Sequence, residues 1–141
     1  MTEPVTSDAV VKRVLDGARA FAIVGASNNP ARPSYGVMEY LLSKGYKVVP
    51  VNPGLAGQEL LGQKIYGTLA DVPAPVDVVD IFRNSDAALE VTRAAIAERQ
   101  RLNLKAVWMQ LAVINEAAST EAQAAGLDVV MDRCPHIELE R

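Results

Sequence analysis

Apolar residues in this chain fall into two rhythms. Strand-sized apolar runs occur at Phe21 to Gly25, Tyr46 to Val51, Val76 to Phe82, Leu104 to Met109 and Leu127 to Met131. Between them the spacing changes to that of a helix face. Val37, Met38, Leu41 and Leu42 recur before Gly45, and Ala88, Leu89, Ala95 and Ile96 recur before Arg99, with Asn84 or Ser85 as the cap. Asn115 opens a further helix and Gly126 closes it. Ahead of the first strand, Thr6-Ser7-Asp8 offers caps for a short packing helix whose Val10, Val11, Val14 and Leu15 share one face, with Gly17 as its stop. Gln63 to Tyr66 reads as a short edge strand, and Thr68 caps one helical turn through Asp71.

Strands that alternate with helices and are apolar almost throughout imply a parallel sheet covered on both faces. The expected fold class is therefore α/β: a single domain with a mostly parallel five- or six-stranded sheet and helices on both faces. Such a sheet carries its ligand crevice past the carboxyl ends of its strands, where the winding reverses. Four segments converge on that rim: Gly25 to Gly36, Asn52 to Gly54, Phe82 to Ser85, and Gln110 to Leu111.

The first of these has the order strand, Gly-containing polar loop, helix N-terminus, which builds a seat for phosphate from unpaired N–H groups and the helix dipole. It departs from the dinucleotide fingerprint, because the two later glycine positions hold Ser27 and Pro30. Gly25 suits either a phosphate cradle or an ordinary tight turn. Ser27 and Ser34 can donate to phosphate oxygens or bond within the loop, and Ser34 is expected to cap the helix. Arg32, between Ala31 and Pro33, offers either a fork for phosphate or a solvated surface charge. Asn52-Pro53 follows the second strand where an NAD site places a carboxylate. The missing charge makes a phosphorylated ribose acceptable there, with Arg32, Lys44, Lys47 and Arg83 as candidate counter-charges.

Phe82 and Arg83 end a strand at the rim and can meet an adenine or pantetheine and a phosphate, or act as core aromatic and flanking charge. Asp80 lies in a buried strand, where a carboxylate needs partners; organising rim N–H groups is the expected role. Trp108 reads as core, its indole N–H satisfied at the strand end, and Gln110 as the polar contact beyond it.

At 141 residues, half of them apolar and 22% charged, the chain suits one domain. The net charge of −3 leaves no basic footprint for nucleic acid or an anionic membrane. The apolar runs are too short for a membrane span, and Met1-Thr2-Glu3-Pro4 lacks the pattern of a signal, so a cytoplasmic protein is expected. Cys134 is the one cysteine and His136 the one histidine, without metal-ligand spacing. Cys134 is read as an inert buried thiol or as a partner for a thiol ligand.

In series, these stretches resemble the small stand-alone CoA-binding domain proteins of bacteria, related in fold to the nucleotide-binding domain of the succinyl-CoA synthetase alpha subunit. The resemblance is carried by Ala22 to Ser27 with Pro30, Arg32 and Ser34-Tyr35; Gly45-Tyr46 with Val48 to Pro53; Val76-Asp77 with Asp80 to Arg83; Val107-Trp108 with Gln110; and Ala125 to Leu127 with Val129-Val130 and Asp132 to Cys134. It implies a Rossmann-type domain over residues 1–141, with an N-terminal helix (1–17) packed on it and a C-terminal tail (132–141), that holds coenzyme A or an acyl-CoA. The implied contacts are Gly25, Ala26, Ser27, Arg32, Ser34 and Tyr35 on the diphosphate, Asn52 and Pro53 beside the adenosine, and Phe82, Arg83 and Gln110 along the rim. The synthetases' phosphorylated histidine lies in a second domain with no counterpart in this sequence, so ligase activity is not implied. A carrier, sensor or accessory role follows. The rival readings are an NAD(P)-dependent or acyl-CoA-using enzyme and a thiol-responsive regulator acting through Cys134.

Overall fold

A computed structural model describes residues 6–141. The Met1 to Pro4 stretch discussed above lies outside the described residues. The sheet is built from β1 (Ala20–Val24), β2 (Lys47–Val51), β5 (Val78–Ile81), β6 (Ala106–Met109) and β7 (Asp128–Val130), in the spatial order β2-β1-β5-β6-β7 and parallel throughout. It therefore has five strands.

The expected sixth is replaced by a hairpin of β3 (Glu59–Leu60) and β4 (Gln63–Lys64), which pair antiparallel with each other. Its turn residues Leu61 and Gly62 both have positive φ, +50° and +81°, the twist that a two-residue hairpin loop requires. Between the hairpin and β5, one isolated parallel bridge joins the chain to the sheet among the described residues, between Val51 and Tyr66. There the Tyr66 N–H donates to the Pro50 carbonyl, and the Asn52 N–H donates to the Tyr66 carbonyl.

Strand periodicity divides the apolar residues between two faces. Ala22, Val24, Val79, Ile81, Val107 and Met109 pack under α3 (Ser85–Ala97) and α5 (Glu116–Ala124). Phe21, Ile23, Val78, Ala106, Trp108 and Val130 pack under α1 (Asp8–Gly17) and α2 (Pro33–Ser43). This double burial is why the strands read as unbroken apolar runs. The α3 helix ends at Ala97, and a further turn, α4 (Arg99–Leu102), follows it. The tail is also helical in part: α6 (Pro135–Leu139) packs on α1 and α2, and His136 stacks on Tyr40 with centroids 3.7 Å apart.

Side-chain caps fix several helix starts. The Ser7 hydroxyl accepts from the Val10 N–H, Asn84 from Ala87 and Asn115 from Ala118. From β1 the chain turns to β2 on one side, then crosses to β5 on the other, so the winding reverses between β1 and β5. That reversal opens a crevice at the carboxyl ends of these two strands.

Candidate functional site

The crevice is a cleft of about 490 Å³. Its first wall is the β1–α2 loop, contributing Gly25, Ala26, Ser27, Arg32, Pro33 and Ser34. Asn52 enters from the end of β2, Phe82 and Arg83 from the end of β5, and Gln110, Leu111 and Val113 from the end of β6. The sheet order places these contributions side by side across four strands, about 14 Å from the Asn52 end to the Gln110 end.

The loop is held by its own short polar side chains. The Ser27 hydroxyl accepts from the Asn29 N–H at 3.0 Å, and Asn29 Oδ1 accepts from the Ala31 N–H at 3.0 Å. Gly25 and Ala26 both donate to the Val51 carbonyl. Asn52 ties the loop to β2: its Nδ2 donates to the Ala26 carbonyl at 2.8 Å while its Oδ1 accepts from the Gly54 N–H at 2.8 Å. Its role is thus to join two backbone turns, a role the sequence did not disclose.

Ser34 is not the cap of α2. Pro33 occupies the first helical position, Arg32 takes the cap position with extended backbone, and no side chain caps the helix. Ser34 lies inside the first turn, buried, and its hydroxyl accepts from the Ser27 N–H at 3.1 Å. The N-terminus of an eleven-residue helix therefore faces the cleft without a side-chain cap, a favourable position for an anion.

Charge reinforces that end. The side chains of Arg32 and Arg83 make no hydrogen bond or ion pair among the described residues. Every other described arginine holds a carboxylate or a backbone carbonyl: Arg93 grips Glu121 with two bonds, Arg101 meets Glu98, Arg133 meets Glu138, Arg13 meets Asp128 and Arg141 meets Glu138, while Arg19 and Arg99 donate to Ala18 and Ile96 carbonyls. Among the described residues, none of those lining the cleft is acidic. Two cationic forks are left for an acidic guest.

Other candidates sit elsewhere. Lys47 begins β2 and so lies at the opposite end of the sheet from the rim, and Lys44 closes α2 with its ammonium over the Tyr40 ring. Neither lines the cleft. Nor do Tyr35, half-buried against the α2-side core, and Pro53, exposed at the start of a one-turn helix after β2. Pro33 and Val113, which sequence reasoning did not single out, do line it. Val113 follows the Gln110 turn, where its N–H donates to the Gln110 carbonyl at 2.9 Å; no periodicity marks such a position.

Asp80 corrects an expectation. It is fully buried beside Ile23 and Trp108 in the sheet, and neither carboxyl oxygen has a hydrogen-bond partner among the described residues, so it organises no rim N–H groups there. Desolvation raises its pKa well above the ordinary value of 3.8, favouring the neutral form. Trp108 is buried as expected, its indole N–H donating to the Arg133 carbonyl at 2.8 Å. Cys134 is a free buried thiol outside the cleft lining, and His136 bonds Glu140 at 2.7 Å. Among the described residues no cluster of His, Cys, Asp and Glu could hold a metal ion, and no helix is long and apolar enough to cross a membrane.

A family model for the CoA binding domain matches residues 19–140. The uncharacterized protein YneT of Bacillus subtilis (strain 168) is 32% identical over 128 residues, covering 91% of this chain and 90% of YneT. A solved hypothetical protein from Pyrococcus horikoshii OT3 is similar in fold with a TM-score of 0.86 at 37% identity, covering 100% of this chain and 98% of that one. The dinucleotide-forming acetyl-coenzyme A synthetase 1 of Ca. Korarchaeum cryptofilum is 30% identical with a TM-score of 0.64; the likeness covers 79% of this chain and 25% of the synthetase.

Proposed function

The chain belongs to the CoA-binding domain family, and on that footing we propose that it binds coenzyme A or an acyl-CoA in the rim cleft, as a carrier, sensor or accessory protein with no reaction of its own. Residues 1–141 act in this reading as one cytoplasmic binding unit, with α1 and the segment from Asp132 onward packed around it. The observation that carries the proposal is the pair of unpartnered arginines, Arg32 and Arg83, beside a helix N-terminus that no side chain caps, in a cleft without an acidic residue. A diphosphate with a phosphorylated ribose matches that charge. Gly25, Ala26, Ser27 and Ser34 supply the cradle, with Tyr35 behind it. Asn52 flanks the adenosine, with Pro53 next to it outside the lining, and Phe82, Arg83 and Gln110 continue along the rim.

NAD is disfavoured because Asn52, with both ends of its amide engaged, stands where a ribose-binding carboxylate is required. Calorimetric titration tests the reading: CoA binds well above NAD, and the preference shrinks as salt is added. Equal affinity for the two, or hydride transfer from NADH to a test carbonyl, would favour a nicotinamide enzyme. Mass spectrometry of gently purified protein adds an independent arm, since retained CoA supports the module and a CoA adduct on Cys134 supports the thiol-responsive reading.

A further inference from the structure

Gln110 is the most deeply buried polar side chain of the cleft lining apart from Ser34. Only 5% of the residue is exposed, and its Oε1 has no hydrogen-bond partner among the described residues. Its backbone is engaged on both sides, the N–H donating to the Ile81 carbonyl at 3.3 Å and the carbonyl accepting from Val113 at 2.9 Å. The residue's backbone is therefore fixed while its amide oxygen is left unmatched. A buried acceptor in a cleft wall, without a protein donor, is completed by a donor on whatever fills the cleft.

The position of this amide limits what that donor is. Gln110 directly follows β6, one strand beyond Arg83 and two beyond Gly25, so it lies about 10 Å across the sheet from the phosphate cradle. Its neighbours from the same loop are Leu111 and Val113, and Phe82 lies on the adjoining strand end. Phosphate brings acceptors and no N–H group, so it cannot complete Oε1. A chain of methylenes interrupted by secondary amides can, since each amide offers both a donor and an acceptor to the glutamine and its methylenes lie on apolar walls.

We infer that Gln110 is a specificity-determining residue that hydrogen-bonds an amide of the ligand's pantetheine arm, so that the cleft selects CoA over adenine nucleotides of matching charge that lack the arm. This rests on the CoA reading above. The probe pair is CoA and adenosine 3′-phosphate 5′-diphosphate, which is CoA without its arm, titrated calorimetrically into the full chain and into Gln110→Met, a near-isosteric change that removes the amide. The inference requires the unmodified protein to bind CoA at least tenfold more tightly than the armless nucleotide. It also requires Gln110→Met to weaken CoA about tenfold while leaving the armless nucleotide unchanged.

Equal weakening of both ligands marks a merely structural glutamine and overturns the inference, as does an unchanged CoA affinity in the variant. The comparison of the two ligands on the unmodified protein needs no variant to fold, and equal affinities there overturn the inference while leaving a nucleotide cleft standing. Failure of the unmodified protein to bind either ligand overturns the CoA reading itself, and this inference with it.

Discussion

Gly25 sits directly against the carbonyl of Phe82: a Cβ added at Gly25 would stand 2.5 Å from that oxygen and 3.1 Å from Cδ of Arg83. The contact spans the point where the winding reverses, since Gly25 directly follows β1 and Phe82 directly follows β5, and the Phe82 N–H donates to the Val24 carbonyl at 2.8 Å. The β1–α2 loop and the Arg83 stem are thus positioned by one glycine at φ +89°.

Gly25→Ala is accordingly costly on two counts, the left-handed backbone and the clash with a backbone oxygen that cannot swing away. The expected loss is at least about 2 kcal/mol of folding stability, measured by urea unfolding, together with weakened CoA binding. A loss under about 0.5 kcal/mol would mean that the two strand ends separate easily.

Arg32→Ala and Arg83→Ala should separate binding from folding. Neither guanidinium holds a partner among the described residues, so stability stays within about 0.5 kcal/mol of the parent. CoA affinity falls by about tenfold or more for each, and the salt dependence of binding becomes shallower. Titrations at two ionic strengths beside a thermal melt give all three quantities.

Asn52 makes a different kind of contribution. Asn52→Ala removes the donor to the Ala26 carbonyl and the acceptor for the Gly54 N–H, a loss of about 1–2 kcal/mol in unfolding experiments. Asn52→Asp keeps the acceptor but turns a carboxylate oxygen toward the Ala26 carbonyl and brings a negative charge into an acid-free cleft. CoA binding is expected to weaken most at low salt, where screening is least.

The buried carboxyl of Asp80 predicts a pH dependence. Its pKa is raised in the fold, so the folded state keeps a proton that the unfolded chain releases above its ordinary value. The group's contribution to stability is full below that ordinary value and declines as pH rises toward the folded one, by about 1.4 kcal/mol per pH unit. Asp80→Asn removes this decline, so its stability relative to the parent should rise as pH climbs above the ordinary carboxylate range in urea unfolding. A pH-independent difference would show that water or a neighbour reaches the carboxylate.

The strands were legible in the sequence because burial on both faces leaves no polar alternation to interrupt them, as in Phe21 to Val24. Asn84 and Asn115 were legible as caps because their side chains act within three residues. Ser34 was misread because a hydroxyl next to Pro33 looks local, whereas it reaches back seven residues to Ser27. The hairpin through Leu61 was hidden for a related reason, since leucine carries no signal for positive φ. The cleft's loops were found from strand ends, yet Val113 entered it through a turn set by the Gln110 carbonyl, and Asp80's isolation depends on neighbours from strands distant in sequence.

The single bridge between Tyr66 and Val51 has a consequence for how molecules of this protein meet one another. β2 is the outermost strand on its side, where unpaired main-chain groups would otherwise invite a neighbouring chain to add a strand. Pro50 has no N–H to offer, its carbonyl is taken by Tyr66, and the Tyr66 carbonyl in turn takes the Asn52 N–H. The carboxyl half of β2 is blunted against self-templating, at the end of the sheet where the cleft must remain open.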